Sequence, residues 1–221
     1  MKRPWRRWLR WLAYTLGALY AAAILLLALF RFVDPPFTML QAQRRIESWF
    51  TKGEYRKRIE PLPMSRISPH LAHAVVAAED GRFYSHWGFD WQQIAEVIDD
   101  LEEGKVRGAS TITQQLVKNL FFGTRGSVFR KAGEALLTPW AELLLGKHRI
   151  LEIYLNHIEW GPGVYGAGAA ARFHYGVSAA QIGREQASRL AAVIPSPRRR
   201  RPARMDRYSA IIQGRMTQLG W

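Results

Sequence analysis

The segment LAHAVVAAED at residues 71–80 is an apolar helical stretch that ends in two adjacent carboxylates, Glu79 and Asp80. A carboxylate at the C-terminal end of a helix meets the negative pole of the helix dipole, and here its neighbours are apolar. Both effects disfavour the charged form, so we expect a raised pKa, which suits general acid or base catalysis. The alternative is a surface Glu-Asp pair that merely closes a helix.

The next ten residues, GRFYSHWGFD at 81–90, combine glycines with aromatic side chains and predict a structured turn. His86 and Asp90 lie in this turn. His86 has the chemistry of a metal ligand, but we favour a histidine held by hydrogen bonds, and no metal ligand is assigned from the sequence.

A second candidate segment, GASTITQQLVKN at residues 108–119, predicts the start of a helix. Thr111 and Gln114 have the spacing of a capping box. The first-turn amides of such a helix can receive a phosphate, because they are donors without helical partners. Thr111, Gln115 and Lys118 fall on one face, so Lys118 would lie beside that anion, while the apolar residues between them form a core face.

A third segment, RKAGE at residues 130–134, places Arg130 and Lys131 at the start of a helix and Glu134 one turn later. Cations at the positive end of a helix are unfavourable without an anionic partner, so the pair hints at an external anion. A solvated charged face is the alternative.

The rest of the chain is predicted to be mostly helical, since no segment shows sustained β alternation. Prolines at 61, 63 and 69 mark a loop, so we assign residues 31–65 to a juxtamembrane segment and 66–221 to one domain. Residues 37–50 read as an amphipathic helix, either on the bilayer surface or against the core. The helices predicted in the domain cover residues 71–78, 91–102, 111–121, 129–145, 149–156, 166–174, 178–194 and 206–219.

The N-terminus predicts a membrane anchor. Of the formal net charge of +14, five basic residues fall in residues 1–10, and residues 11–30 carry no charge. A helix of that length spans the roughly 30 Å apolar core of a bilayer and keeps its basic flank in the cytoplasm. A cleaved signal peptide is the alternative, although its apolar run would be shorter. A basic protein anchored this way has a membrane or a phosphorylated ligand as its anionic partner, and nucleic acid is disfavoured.

These motifs together resemble the peptidoglycan glycosyltransferases, specifically the monofunctional biosynthetic transglycosylases of Gram-negative envelopes. The matching motifs occur in one order along roughly residues 60–200. They comprise Glu79-Asp80-x-x-Phe83-x-x-His86-x-Gly88-x-Asp90, Gly108-x-Ser110-Thr111 through Gln115 to Lys118-Asn119, Arg130-Lys131-x-x-Glu134, Lys147 through Glu152-x-Tyr154-Leu-Asn156, Gly161 to Gly168 and Leu190 to Pro197.

The resemblance implies an all-α, lysozyme-like glycosyltransferase domain behind a single N-terminal transmembrane helix. It implies that the enzyme polymerises lipid II into β-1,4-linked glycan with inversion and releases undecaprenyl diphosphate. The bacterial inner membrane would hold the chain, with the N-terminus cytoplasmic and the domain periplasmic. Partners would be lipid II, the growing lipid-linked glycan and other cell-wall synthases.

The resemblance also implies roles for particular residues. Glu79 matches the general base, and Glu134 matches a second essential carboxylate that organises the donor side or a divalent ion, Mg²⁺ or Mn²⁺. No cofactor is required by the sequence itself. The matches to residues that bind the diphosphate or substrate are Lys118, Arg130, Lys131, Ser110, Thr111, Gln115 and Asn119, and those that shape the cleft are Asp80, Phe83 and His86.

Three positions depart from the family pattern. Ala109 replaces a glycine, Gly146 stands where serine is common, and Pro139 interrupts the helix after Glu134. An internal proline costs about 3 kcal/mol in a regular helix, so the geometry of this helix is in question. We expect no transpeptidase domain in a chain of this length. A lytic enzyme of similar fold and an inactive membrane-tethered scaffold are the competing hypotheses.

Overall fold

The computed structural model describes residues 5–51, 55–102 and 108–221, and these residues form a mostly helical structure. Lys2 and Arg3 of the predicted basic segment lie outside the described residues, as do residues 52–54 of the juxtamembrane segment. The helices are α1 Trp5–Phe30, α2 Met39–Ser48, α3 Pro69–Glu79, α4 Trp91–Glu102, α5 Ile112–Val117, α6 Val128–His157, α7 Ala167–Tyr175, α8 Arg184–Ala191 and α9 Asp206–Gln218. Short 3-10 turns occupy Met64–Arg66, Phe83–Ser85, Ala179–Gln181 and Pro202–Arg204, and a π turn, Lys118–Phe122, continues α5.

Helix α3 lies in the core of the domain, as its apolar sequence suggests. Leu71, Ala74 and Val75 have no exposed surface, and the helix packs against α8 and α9. The many alanines of α3 and α8 leave room for close approach of the two helices. Ser68 ends the preceding loop and its hydroxyl donates to the Ile182 carbonyl at 2.6 Å. Helix α3 therefore holds Glu79 at its C-terminal end, next to the apolar core.

Helix α6 consists of two helical stretches that meet at a kink. Two helices were predicted on either side of residues 146–148, and the break is confirmed, because Gly146 lies inside α6 with non-helical backbone angles. Pro139 keeps helical backbone angles, so the proline does not break the helix. Gly146 has φ 72° and ψ 163°, a conformation that is essentially confined to glycine. The departure that matters for helix geometry is thus Gly146.

A small sheet was not predicted. Strands β1 Arg58–Ile59, β2 Glu159–Gly161 and β3 Val164–Tyr165 pair in the order β1-β3-β2, with β1 parallel and β2 antiparallel to β3. Strands of two or three residues are too short to show alternation in a sequence. The helix predicted over 178–194 was also wrong in extent, because a 3-10 turn and Gly183 precede α8.

Helix α1 is long and apolar enough to cross a membrane, and it is the one such helix among the described residues. It ends at Phe30, before Asp34-Pro35-Pro36, where two successive prolines disfavour a helix. Helix α1 packs along α6. Tyr20 Oη donates to the Leu136 carbonyl at 3.2 Å and accepts from Trp140 Nε1 at 2.8 Å. Helix α1 is therefore joined to the domain by specific contacts.

Helix α2 begins at the N-cap Thr38, whose hydroxyl accepts from the Gln41 amide at 3.3 Å. Leu40 is buried against the domain, while the apolar residues Ile46 and Trp49 remain exposed. Arg44 pairs with Glu159 of β2 at 3.0 Å. The helix packs on the domain with one side and leaves an apolar surface on the other.

We expect Gly146→Ala to lower the free energy of unfolding by about 1–3 kcal/mol, because alanine is strained at this φ and ψ. Nothing lies within 4 Å of the added Cβ, so backbone strain is the cause. Gly214→Ala is the control, since Gly214 is helical and equally open. That variant should gain about 0.5–1 kcal/mol. Denaturant unfolding of the full chain in detergent measures both changes, and a shift of the same sign in both variants would contradict the assignment.

Candidate active site

A cavity of about 490 Å³ lies at the end of α3 and is lined by polar and charged side chains. Glu79, Asp80, Ser110 and Gln115 line it. Residues that follow α8 in the chain, namely Pro195, Tyr208 and Arg215, line it as well. Four of the residues predicted for the site, from two separate segments of the chain, therefore meet at one cavity.

Glu79 is the last residue of α3 and is partly buried at the cavity. Gln115 Nε2 donates to Glu79 Oε2 at 2.8 Å. Burial raises the pKa of Glu79, while the Gln115 hydrogen bond and the charges of Lys118 and Arg200 oppose that rise. The direction agrees with the sequence-based expectation. The dominant cause is loss of solvent, and the result is a carboxyl group that holds its proton more readily than an ordinary glutamate.

Asp80 ties the end of α3 to the start of α5. Its Oδ1 lies 2.9 Å from His86 Nε2, and its Oδ2 accepts from the Ile112 amide at 3.0 Å. Phe83 is fully buried beneath this arrangement, with Lys147 Nζ 4.4 Å from the centre of its ring. Asp80, Phe83 and His86 thus brace the cleft, and His86 is the hydrogen-bonded histidine that the sequence favoured.

The oxygens and ring nitrogen of Asp80, His86 and Asp90 lie within 4.8 Å of one another, close enough for a metal ion. However, Asp90 already accepts from Arg82 Nε and from the Gln93 amide, each at 2.8 Å. Both oxygens of Asp80 are engaged as well. Both carboxylates of the cluster are engaged in hydrogen bonds, whereas His86 Nδ1 is buried without a hydrogen-bond partner among the described residues. No step of the reaction is assigned to a metal at this cluster.

The predicted capping box at the start of α5 is present. Thr111 Oγ1 accepts from the Gln114 amide at 3.2 Å, and Gln114 Oε1 accepts from the Thr111 amide at 3.1 Å. Thr111 Oγ1 also donates to the Gly88 carbonyl at 2.7 Å. The expected phosphate site on the first-turn amides is wrong, however, because Asp80 already accepts from the Ile112 amide. The carboxylate of Asp80 occupies this end of α5.

The predicted cations gather around Glu134, which is buried on α6. Glu134 pairs with Arg130 and, at 3.3 Å, with Lys131. Lys131 Nζ also donates to Ser110 Oγ at 3.1 Å, which joins the group to the cavity. The sequence took these two cations as a hint of an external anion, but Glu134 of the same helix is an anionic partner for both. Both charges therefore have a partner within the chain.

Lys118 lies between the two carboxylates of the site. Burial lowers the pKa of Lys118, while Glu134 and Glu79 raise it and Arg130 lowers it further. Asn119 follows in the π turn and is buried. Lys118, Arg130 and Lys131 form what we call the cation group, next to the carboxylate Glu79.

The sequence reasoning did not single out several residues that contribute to the site. Tyr154 bonds to Gln115, and Glu142 accepts from Thr113 Oγ1 at 2.6 Å and from Lys147 Nζ at 2.7 Å. Tyr154 and Lys147 entered only as parts of a longer motif. Tyr208 and Arg215 come from the C-terminal helix, which carries no motif, so no local signal could have found them.

A helical domain that places a partly buried carboxylate at a cavity, with a cation group joined to that cavity through Ser110, is typical of an enzyme that transfers a glycosyl group from an anionic leaving group. The chain belongs to the transglycosylase family, whose model matches residues 44–218. The resemblance stated from the motifs is thereby confirmed.

Several curated relatives are similar over most of their length. The biosynthetic peptidoglycan transglycosylase of Pseudomonas fluorescens strain SBW25 is 48% identical over 204 residues, covering 90% of this chain and 85% of that protein. Proteins of the same name from Ectopseudomonas mendocina and Pseudomonas putida strain KT2440 are 47% and 46% identical, each over 205 residues. These matches cover 90% of this chain and 84% and 87% of the relatives respectively.

We expect Glu79→Gln to raise the melting temperature at pH 7. The pKa of Glu79 is higher in the folded chain, so its stability contribution is full at low pH and is lost as pH rises through the folded pKa. Glutamine carries no charge, and the advantage of the variant should therefore shrink as pH falls through that pKa.

Thermal melts of the full chain between pH 4 and pH 8 measure this difference. Glu185→Gln is the control, because Glu185 is exposed on α8 and surface changes of this kind shift stability by about 0.5 kcal/mol or less. A lower melting temperature for Glu79→Gln at pH 7 would contradict the proposed burial cost.

Proposed function

We propose that this chain is a peptidoglycan glycosyltransferase of cell wall biogenesis, which polymerises lipid II into β-1,4-linked glycan strands without transpeptidase activity. The observation that carries the proposal is that Glu79, whose pKa is raised, lies at the cavity and interacts electrostatically with Lys118 of the cation group. Family membership and the peptidoglycan names of the relatives support the substrate class.

In this mechanism Glu79 acts as the general base. Its free carboxylate oxygen accepts the proton of the acceptor 4-hydroxyl, since Oε2 is held by Gln115. The hydroxyl oxygen forms a bond to C1 of the donor sugar as the C1–oxygen bond to the diphosphate breaks. The diphosphate leaves with that electron pair, and attack from the opposite face inverts the anomeric configuration.

The cation group would stabilise the leaving diphosphate. Lys118 lies nearest to Glu79 of the three, while Arg130 and Lys131 are held by Glu134. Charge that develops in the transition state is best stabilised by groups already in position. Glu134 therefore serves as the organiser of the donor side, in keeping with the role that the resemblance implies.

A divalent ion at Glu134 is not favoured by the residues present. Its two carboxylate oxygens pair with Arg130 and Lys131, which leaves no oxygen free of a cation. We propose that Mg²⁺ or Mn²⁺, where it takes part, travels with the diphosphate of the substrate. Within the chain, the cation group then neutralises the charge of the leaving diphosphate.

We propose that α1 anchors the chain in the bacterial inner membrane as a single pass. The basic segment at residues 1–10 would keep the N-terminus cytoplasmic and leave the domain periplasmic. The growing lipid-linked glycan and other cell-wall synthases are the expected partners, and nucleic acid is not. A lipid-linked substrate makes a membrane anchor useful, because donor, acceptor and enzyme then share one surface.

We expect Glu79→Gln to abolish glycan synthesis, because the variant keeps the shape of the side chain and loses the base. Labelled lipid II incubated with the full chain in detergent should give long glycan with the natural chain and none with the variant. Cleavage of preformed glycan by the natural chain would instead favour the lytic hypothesis. Unchanged synthesis by Glu79→Gln would exclude Glu79 as the base.

We expect Lys118→Met to lower kcat/KM by about 10²–10³-fold, since one preorganised group that stabilises the leaving charge is lost. Methionine keeps the length of the stem and removes the cost of burying a charge, so the fold should survive. Lys57→Met is the matched control, because Lys57 bonds Gln41 at 2.9 Å outside the cavity. Initial rates of lipid II polymerisation measure both variants, and equal losses in the two would contradict the role of Lys118.

A further inference from the structure

A line of hydrogen bonds connects the core of the domain to the proposed base. Tyr154 lies on α6 with no exposed surface, and its hydroxyl donates to Gln115 Oε1 at 2.9 Å. Gln115 Nε2 on α5 then donates to Glu79 Oε2 at 2.8 Å, at the end of α3. The three side chains come from three helices, so no local sequence pattern links them.

The direction of these hydrogen bonds is fixed by the tyrosine. Burial, with the charges of Glu79 and Asp80, raises the pKa of Tyr154 well above its ordinary value. The hydroxyl therefore stays protonated and donates to the amide oxygen. With the oxygen engaged there, the amide nitrogen of Gln115 must face Glu79, and it also reaches the Ser110 carbonyl at 3.5 Å.

We propose that Tyr154 is a positioning residue for the base Glu79, acting through the amide of Gln115. The proposal rests on the proposed function, because it assigns the hydrogen-bonded line to the same general base. Tyr154 does not touch the cavity itself, since it lies behind Gln115. Its effect is to present a donor to one oxygen of Glu79 and to leave the other oxygen for the acceptor hydroxyl.

Loss of the Tyr154 hydroxyl should make Glu79 harder to ionise. The amide of Gln115 could then turn its oxygen toward the carboxylate, which would remove a donor and add repulsion. The other charged groups that act on Glu79 stay in place: Lys118 and Arg200 favour its ionised form, and Asp80 disfavours it. Burial would be opposed by fewer interactions, so the acid limb of the pH–rate profile should move to higher pH.

The test is the pH–rate profile of Tyr154→Phe for lipid II polymerisation in detergent. We expect the acid limb of kcat to move up by about one pH unit, the scale of one hydrogen bond to a charged group. Activity should fall about tenfold on that limb and change little at the plateau. A role confined to packing would instead lower the rate equally at every pH.

Tyr175→Phe is the matched control, because its buried hydroxyl has no hydrogen-bond partner among the described residues. The profile of that variant should coincide with that of the natural chain. Adding Tyr154→Phe to Gln115→Met should move the limb no further than Gln115→Met alone, since both act through one amide. A uniform loss without a moved limb, the same shift in Tyr175→Phe, or additive shifts in the double variant would overturn the proposal.

A second readout needs no substrate and separates this proposal from the proposed function. The Glu79 carboxyl can be titrated by ¹³C NMR in the full chain, with its signal identified by its loss in Glu79→Gln. A higher pKa in Tyr154→Phe than in Tyr175→Phe supports the positioning role even if lipid II is not polymerised. An unmoved pKa overturns it even if polymerisation is observed.

Discussion

The buried carboxylate of Asp80 is the constraint on which the rest of the site depends. It is 1% exposed, and it joins His86 to one oxygen and the first amide of α5 to the other. A buried charge without such partners would cost several kcal/mol, so this geometry is strongly selected over alternatives. Because Glu79 precedes Asp80 directly, fixing Asp80 to α5 also fixes Glu79 against Gln115. The bracing residue Asp80 and the proposed base Glu79 are therefore positioned together, because they are adjacent in the backbone.

Local features of the site were predictable from the sequence, and long-range ones were not. The Thr111–Gln114 capping box involves residues three apart, so its spacing alone identified it. The raised pKa of Glu79 followed from an apolar helix that ends in a carboxylate. In contrast, the Asp80 bond to the Ile112 amide spans 32 residues, and it occupies the helix end that the sequence assigned to a phosphate. Pairing over such distances depends on packing, which no short pattern records.

The secondary structure was likewise predicted where it depends on a local pattern and missed where it depends on tertiary packing. Helices with strong apolar periodicity, such as α4 and α9, were placed within a residue of their observed ends. The sheet was missed because its strands have two or three residues and are joined by tertiary packing. The break near Gly146 was predicted, since separate helices were expected on either side of residues 146–148, and the backbone angles of Gly146 interrupt α6 there. The resemblance uses the order of motifs along roughly residues 60–200, and it therefore predicted the function in more detail than periodicity could.

Helix α6 contacts α1 and also carries residues of the candidate site. This helix carries Glu134 and Tyr154, and α1 packs along it. Arg149 on α6 donates to the Phe30 carbonyl at 2.9 Å and pairs with Asp34 at 2.8 Å, immediately after the anchor ends. Arg130, Lys131 and Glu134 precede the Gly146 kink of α6, whereas Arg149, which holds the segment after α1, follows it. Contacts on both sides of the kink therefore join α1 and the segment after it to the helix that carries Glu134.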